Sequence, residues 1–232
     1  MAGRRPGRGG QAGLTHNHGS DLLLFTQEFW DERYGSKDRI WSGNPNPQLL
    51  DQAAGLTPGA ALDVGSGEGA DAIWLAAQGW EVTAVDVSSV ALERAARRAA
   101  EVGHEIAGRI SWQQSDLMTW EPAPHRFDLV SAQFMYLPPP SLESMHRRLA
   151  AAVRPGGTLL IVGHHPSDME TSIPRPNLSE LYYTAEEIAT RLDPAEWEIV
   201  VLGAPAREAV DPEGLTVTIH DTVLRATRRL TG

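Results

Sequence analysis

Three glycines and three carboxylates share one short stretch of the sequence, ALDVGSGEGADAIWLA at residues 61–76. The glycines are Gly65, Gly67 and Gly69, and the carboxylates belong to Asp63, Glu68 and Asp71. Followed by Ala70, the glycines satisfy the G-x-G-x-x-G/A spacing, in which a tight strand-to-helix turn approaches a nucleotide cofactor. Carboxylates beside such a turn would repel a pyrophosphate. The stretch therefore favours a nucleoside cofactor that carries positive charge and no phosphate.

S-adenosylmethionine meets this requirement, because it carries an ammonium and a sulfonium and has no phosphate. Asp63 ends a predicted buried strand, where a carboxylate needs a partner, and it could engage the ammonium directly or through water. Asp86 ends the next strand, 86 − 65 = 21 residues after Gly65, and could accept hydrogen bonds from both ribose hydroxyls. Glu68 and Asp71 have a second interpretation, since acids in a first helical turn complement the helix dipole.

Strands and helices are predicted to alternate through the middle of the chain. The strands lie near residues 60–65, 81–86, 110–116, 127–134 and 157–163, and the helices near 69–78, 88–103, 139–152 and 184–192. The first two strands are apolar with little alternation, which is typical of a parallel sheet buried on both faces. The final runs WEIVVLGAPAREAV and LTVTIHDTVLRATRRL, joined by DPEG, predict an antiparallel hairpin at the sheet edge. The pattern indicates a three-layer α/β fold.

The N-terminal part of the chain divides into two segments of different composition. Residues 1–20 are rich in glycine and polar residues, which predicts a disordered tail. Residues 21–54 are predicted to form a helical segment, with Asp21 as a candidate N-cap and an apolar stripe that can dock as a lid. The stripe consists of Leu22, Phe25, Phe29 and Trp30. Residues 55–232 would then form the α/β domain.

A series of motifs gives this organisation a family resemblance. The glycine stretch LDVGSGEGADA is followed in order by VTAVDVSSVALERA, ISWQQSDLMTW, FDLVSAQFMYLPP and VRPGGTLLIVG. Over residues 55–165 the series resembles the class I S-adenosylmethionine-dependent methyltransferases. The resemblance implies a Rossmann-like methyltransferase fold with a mostly parallel seven-stranded sheet, in which the C-terminal hairpin supplies the reversed strand. The earlier segment FWDERYGSKDRIWSGNPNPQLL resembles the N-terminal segment of the thiopurine and tellurite-resistance-type methyltransferases over a short stretch.

The resemblance implies roles for residues at the methionine and ribose end of the cofactor. Gly65, Gly67 and Gly69 would approach the methionine part and the ribose. Asp86 would bind the ribose hydroxyls. Gln133, at the end of the fourth strand, would lie beside the methionine moiety, although a surface amide is the alternative interpretation.

The resemblance also implies an adenine-binding group. Val87 would pack on the adenine ring, Asp116 would accept a hydrogen bond from its amino group, and the Leu117 backbone N–H would meet a ring nitrogen. For Asp116 the alternative is a helix or turn cap. Trp30 and Trp41, in the predicted lid, would shield the cofactor, and ordinary core packing is the alternative for these aromatic residues.

Candidates for the methyl-accepting side follow the later strands, because ligands of open α/β sheets bind beyond the carboxyl ends of the strands. They are Phe134, Met135 and Tyr136 after the fourth strand, and His164 and His165 after the fifth. We expect one histidine of the pair to point inward, where it could act as a base, and the other outward. A metal site that uses both histidines and Asp168 is disfavoured, since adjacent histidines rarely converge on one ion; no metal is expected.

Composition excludes several classes of function. The chain has no cysteine, so a disulfide, a zinc–thiolate site and a cysteine nucleophile are all absent. A formal net charge of −10 disfavours a broad nucleic-acid surface. No apolar stretch approaches the length of about 20 residues that a membrane span needs, and no signal peptide is expected, so the cytoplasm is the expected location. Lys37 is the only lysine, which with abundant alanine suggests a GC-rich bacterial genome.

The sequence thus predicts transfer of a methyl group from S-adenosylmethionine to a small-molecule acceptor. Three alternatives remain open at this point: an NAD-type oxidoreductase, a non-catalytic module that binds S-adenosylmethionine, and a methyltransferase-fold enzyme that uses the cofactor for another reaction such as cyclisation. The sequence does not identify the acceptor atom, the use of a base or the oligomeric state.

Overall fold

The computed structural model of the chain describes residues 25–176 and 178–230. The predicted tail at residues 1–20, the candidate N-cap Asp21 and the apolar Leu22 lie outside these residues. The described part is built around one sheet with helices on both faces. None of the helices in this part has the length and apolar character that crossing a bilayer requires.

The sheet has the predicted parallel core and antiparallel C-terminal strands. Its strands are β1 (Ala60–Val64), β2 (Glu81–Asp86), β3 (Ile110–Gln114), β4 (Phe127–Gln133), β5 (Val153–His164), β6 (Trp197–Gly203), β7 (Ala206–Val210) and β8 (Thr216–Arg228). The order is β3-β2-β1-β4-β5-β8-β6, with β7 paired to β8. Strands β1 to β5 pair in parallel, and β8 is antiparallel to β5 and β6. The seven-stranded Rossmann-like fold is confirmed, with β7 as an additional strand.

The predicted hairpin forms, but its first arm is divided into two strands. Pro205 lies between β6 and β7 and has no N–H for a ladder hydrogen bond. Strand β8 pairs with β5 along one side and with β6 and β7 along the other. The last strand of the chain therefore lies inside the sheet, and β6 forms its outer edge.

The described helices lie where the sequence pattern placed them, with one addition. They are α1 (Gln27–Gly35), α2 (Pro47–Ala53), α3 (Ala70–Ala77), α4 (Ser89–Val102), α5 (His104–Gly108), α6 (Pro139–Ala152) and α7 (Ala185–Ala189). Helix α1 begins at Gln27 because Thr26 is its N-cap, with Oγ1 accepting a hydrogen bond from the Phe29 N–H at 3.2 Å. The short α5 was not predicted.

Both faces of the sheet are buried, which explains why the central strands read as continuous apolar runs. On one face Leu62 and Leu159 pack in a cluster that includes Leu149 of α6. On the other face Leu129 and Leu160 belong to a cluster that includes residues of α3. The order of connections reverses between β1 and β4, so the carboxyl ends of these two strands flank the crevice in which open α/β sheets bind ligands.

Candidate cofactor and acceptor site

The glycine turn joins the carboxyl end of β1 to helix α3. Gly65, Gly67 and Gly69 have φ values of +70°, +50° and +78°, a left-handed region that favours glycine. The backbone N–H groups of Gly65 and Ser66 both donate to the Val85 carbonyl of β2, at 2.8 and 3.1 Å. The turn is therefore held against the neighbouring strand in the conformation that the motif requires.

Two side chains cover the turn in this structure. A Cβ atom added to Gly65 would collide with the Met135 sulfur, and one added to Gly67 would lie 2.8 Å from the Tyr34 hydroxyl. The same hydroxyl accepts a hydrogen bond from Trp41 Nε1 at 3.0 Å. Absence of a side chain on these glycines thus creates space, which Met135 from the β4 end and Tyr34 from α1 fill.

Two of the acids in the glycine stretch bind the N-terminal strap, a name we give to residues 25–46. Glu68 accepts hydrogen bonds from the backbone N–H groups of Ile40 at 3.1 Å and Trp41 at 3.2 Å. Asp71 accepts from both the backbone N–H and the side-chain amide of Asn46, each at 2.7 Å. These acids therefore latch the strap over the turn, a function that the sequence did not reveal.

Asp63 is the acid that has no complete set of partners. It is 2% exposed, it accepts a hydrogen bond from the Ala72 N–H, and its Oδ2 has no hydrogen-bond partner. Burial, followed by the nearby charges of Asp71 and Asp86, holds the pKa of Asp63 well above its ordinary value. An orphaned buried carboxylate oxygen beside the glycine turn fits the ammonium of an amino-acid group.

Asp86 ends β2 directly beside the glycine turn. Its Oδ2 accepts from the Gly67 N–H at 2.8 Å and its Oδ1 from the Ser88 N–H at 2.9 Å. The Ser88 hydroxyl in turn donates to Asp31 of the strap at 2.6 Å. Burial raises the pKa of Asp86, while the backbone donors oppose the shift. Each carboxylate oxygen keeps a lone pair beyond its backbone partner, as a ribose-binding acid requires.

A cavity of about 640 Å³ lies next to Asp86 between the strap and the ends of β2 and β3. It is lined by Phe25, Thr26, Gln27, Glu28, Val87, Gln114, Ser115, Asp116 and Met118. The structure thus brings together two of the predicted adenine contacts, Val87 and Asp116, which are separate in the sequence. Asp116 Oδ1 also accepts from the Met118 N–H at 2.9 Å and Oδ2 from the Thr119 hydroxyl at 3.5 Å, so this carboxylate caps its own turn. Leu117, the third predicted contact, is buried beside them.

The end of β4 has an unusual backbone and an unpaired amide. Phe134 has a φ of +52°, a strained conformation for a residue with a side chain. The preceding Gln133 is buried; its Nε2 donates to the Ser131 hydroxyl at 2.9 Å and its Oε1 has no hydrogen-bond partner. The buried position excludes the surface-amide interpretation, and the free oxygen faces no partner within the described residues.

His164 points inward among aromatic rings. The centroid of its ring lies 4.5 Å from Phe134, 5.8 Å from Tyr136 and 6.5 Å from Tyr182. Burial, and then the charges of Arg175 and Arg207, lower the pKa of His164 to about 3. The imidazole is therefore neutral at physiological pH and is a weak proton acceptor. Burial likewise raises the pKa of the Tyr136 hydroxyl to about 12.

His165 points the other way and has a structural partner. Its Nδ1 lies 2.9 Å from the Ser167 hydroxyl, and it caps the 3₁₀ turn at Pro166–Glu170. The two histidine rings therefore have different neighbours, as the predicted alternation requires, although His165 is itself partly buried. Within the described residues, no group of three or more His, Asp or Glu side chains could hold a metal ion.

Beside His164 lie Asp168, which the sequence suggested only as a disfavoured metal ligand, and Arg175, which sequence reasoning missed. Asp168 is fully buried, with Oδ2 lying 3.8 Å from His164 Nδ1 and 3.7 Å from Arg175 Nη2. Neither His164 Nδ1 nor Asp168 Oδ2 has a hydrogen-bond partner, nor has Arg175 Nε. Arg175 lies in a loop without a motif, so no local signal could have identified it.

The predicted lid residues lie over the site in the strap. The Arg33 guanidinium stacks on Trp30 and Trp41, 5.7 Å from each ring centroid. Trp30 also lies 5.9 Å from Tyr34, measured between ring centroids. Trp41 remains 46% exposed, so it closes the outer side of the turn and does not belong to the core.

Comparison with known proteins identifies a methyltransferase domain in the chain. The sequence profile of a family described as a methyltransferase domain matches residues 61–157. A probable thiol methyltransferase 2 of Arabidopsis thaliana is 29% identical over 136 residues, which are 56% of this chain and 59% of that protein. An uncharacterised methyltransferase of Mycobacterium tuberculosis is 35% identical over 126 residues, 54% of this chain and 61% of that protein. The chain thus spans less than two thirds of the length of these relatives.

A solved structure extends the similarity to nearly the whole fold. That structure is described by the conversion of a disulfide bond into a thioacetal group during echinomycin biosynthesis. It superposes with a TM-score of 0.68 and 23% sequence identity, covering 89% of this chain and 93% of that chain. At this level of identity the similarity concerns the fold.

Proposed function

Since residues 61–157 match a methyltransferase domain, we propose that the chain is a class I S-adenosylmethionine-dependent methyltransferase and transfers a methyl group from S-adenosylmethionine to a small-molecule acceptor. The observation that carries the proposal is the orphaned Asp63 oxygen beside a glycine turn whose neighbouring cavity contains Val87 and Asp116. A cation fits at one end of this arrangement and a purine at the other. A dinucleotide fits poorly, because its pyrophosphate would meet three buried carboxylates.

The side chains at the turn would hold the cofactor and orient it. Asp63 would receive the ammonium, Asp86 the ribose hydroxyls, and Val87 with Asp116 the adenine ring. S-adenosylmethionine supplies an electrophilic methyl group on a sulfonium when it is bound. Met135 would turn away from Gly65 to admit the amino-acid part, a movement that its flexible side chain allows.

The strap would exclude water from the methyl group. Its latches to Glu68 and Asp71 hold Tyr34 and Trp41 over the glycine turn, and an in-line displacement benefits from alignment and desolvation. We therefore retain residues 21–54 as a lid segment and residues 55–232 as the catalytic domain.

The acceptor would lie among Phe134, Tyr136, His164 and Tyr182. This group is aromatic and its histidine is neutral, so it suits a small acceptor with apolar or aromatic surface. A histidine with so low a pKa removes protons poorly, which favours acceptors that ionise readily, such as thiols. The Arabidopsis relative is named a probable thiol methyltransferase, and thiols are therefore the first acceptors to test. We propose a cytoplasmic location for this activity.

A labelled-methyl transfer screen tests the proposal. The protein is incubated with S-adenosylmethionine carrying a labelled methyl group and with thiols, phenols, amines, halides or metalloid anions, and S-adenosylhomocysteine is measured as the second product. We expect transfer to at least one class, and loss of transfer in the Asp63→Ala variant but not in Asp51→Ala, a change on an exposed residue. Tight cofactor binding with no transfer to any class would instead indicate a binding module or a reaction other than methylation.

A further inference from the structure

Three buried carboxylates converge beside the glycine turn. Asp63, Asp71 and Asp86 are 2%, 7% and 6% exposed and come from β1, α3 and β2. Both oxygens of Asp71 are used by Asn46, and both oxygens of Asp86 accept from backbone N–H groups. Asp63 has one oxygen without a partner. Its neighbour Asp71 therefore adds negative charge at a place where the free oxygen has no donor to balance it.

The positive charges near this cluster are engaged elsewhere. Among the described residues, no Lys, Arg or His nitrogen lies within 4.0 Å of a carboxylate oxygen of the cluster. Arg94 of α4 pairs with Glu68 at 3.4 Å. The strap contributes two groups. Asp31 accepts a hydrogen bond from Ser88, and burial raises the pKa of the Tyr34 hydroxyl above its ordinary value, so this group stays neutral. The β4 side contributes the uncharged Ser131 and Gln133. The Arg33 guanidinium, whose charge acts on Tyr34, stacks on Trp30 and Trp41, and no carboxylate of the cluster lies within ion-pair distance of it.

We propose that the Asp63–Asp71 pair keeps one proton in the cofactor-free protein and releases it to solvent when the cationic amino-acid part of S-adenosylmethionine binds. The inference rests on the proposed function, since it names the cofactor of that site. The carboxyl O–H bond breaks, its electron pair stays on the oxygen and a buffer base takes the proton, while the ammonium replaces the proton as the positive charge between the carboxylates. Two like charges in a buried site cannot both stay ionised without such a partner. The raised pKa values of Asp63 and Asp71, caused mainly by burial, agree with the geometry.

The linkage has a definite sign. Because binding releases a proton, raising the pH favours binding, and the affinity for S-adenosylmethionine should rise by up to about tenfold per pH unit below the pKa of the pair. A ligand without the amino-acid part, 5′-methylthioadenosine, contacts the ribose and adenine groups only. Its affinity should not carry this pH dependence.

Calorimetry on the full chain measures the released proton. Titrations of S-adenosylmethionine and of 5′-methylthioadenosine are run between about pH 5 and 8, at each pH in two buffers that both buffer there and differ in ionisation enthalpy, and the difference in heat between the buffers counts protons. We expect about one proton released at the acidic end with S-adenosylmethionine and none with 5′-methylthioadenosine. Equal proton counts for the two ligands, or none for either, would overturn the proposal.

Variants and a spectrum of the free protein separate this inference from the proposed function. Asp63→Asn should abolish the release, Asp71→Asn should reduce it at neutral pH because Asp63 then ionises more easily, and Asp51→Asn should leave it unchanged. Carbon-13 NMR of labelled aspartate in the cofactor-free protein should show one carboxyl that stays protonated above its ordinary pKa and disappears in Asp63→Asn. If that carboxyl is ionised, the inference is wrong even where S-adenosylmethionine binds. If it is protonated and S-adenosylmethionine does not bind, the proposed cofactor is wrong, and the linked release with it.

Discussion

Replacement of Asp86 by alanine should weaken binding of S-adenosylmethionine with little loss of the fold. The carboxylate accepts one backbone N–H on each oxygen, from Gly67 and Ser88, and each oxygen keeps capacity for one ribose hydroxyl. Hydrogen bonds to a charged group contribute about 1.5–3 kcal/mol. At about 1.4 kcal/mol per tenfold change, the dissociation constant should rise about 10- to 150-fold.

Calorimetry with S-adenosylhomocysteine and with its 2′-deoxy analogue isolates the ribose contact. In the wild-type protein the deoxy analogue should bind more weakly, whereas in Asp86→Ala the two ligands should bind alike, because the partner of the hydroxyl is gone. Asp51→Ala, an exposed change on α2, is the control and should behave as wild type. Thermal unfolding shows whether the variant is folded. A folded Asp86→Ala protein with unchanged affinity, or one that still discriminates the two ligands, would place the ribose elsewhere.

Three further predictions concern the strap and the acceptor side. Deletion of residues 1–20 should leave methyl transfer nearly intact, whereas deletion of residues 1–44 should abolish it while a cooperative unfolding transition remains; intact transfer after the longer deletion would argue against a lid. Glu68→Gln should destabilise the protein by about 1–3 kcal/mol in denaturant unfolding, because Ile40, Trp41 and Arg94 lose a charged partner, while a Glu→Gln change at the exposed residue 93 should have little effect. Between pH 6.5 and about pH 3, wild type should lose stability relative to His164→Asn, since the folded state keeps this imidazole neutral while the unfolded state protonates it; parallel stability curves would show that the pKa is not lowered.

The fold could be predicted because its signals are local. Strand β2 was predicted at its observed bounds, and the glycine spacing identified the turn before α3, since positive φ values and close packing leave little choice of residue. Thr26 caps α1 by accepting a hydrogen bond from the Phe29 N–H, whereas the candidate N-cap Asp21 lies outside the described residues and stays a prediction.

The site could be predicted only in part, because several contacts join residues that are distant in sequence and involve backbone groups, which every residue type carries. Glu68 accepts from N–H groups 27 and 28 residues earlier, and every residue other than proline offers such a donor. No side-chain pattern could therefore reveal the latch. The pairing of Arg175 with Asp168 also depends on how a loop folds back onto His164. Residues on strand ends, such as Asp86 and Gln133, could be placed because the sheet itself positions them.

The acids of the glycine stretch divide their functions according to depth. Glu68 and Asp71 accept hydrogen bonds from N–H groups of the strap. Asp63, which lies in β1, keeps one oxygen without a hydrogen-bond partner. The glycine turn and the elements that it joins therefore support both the strap and the proposed cation site. Because Asp71 is bonded to Asn46 and acts electrostatically on Asp63, any change that unlatches the strap also changes the charge around the site. The position of the strap and the binding of a cationic cofactor would then depend on the same carboxylate, Asp71. A strap variant such as Asn46→Ala should therefore alter both the pH dependence of S-adenosylmethionine binding and the exposure of Trp41.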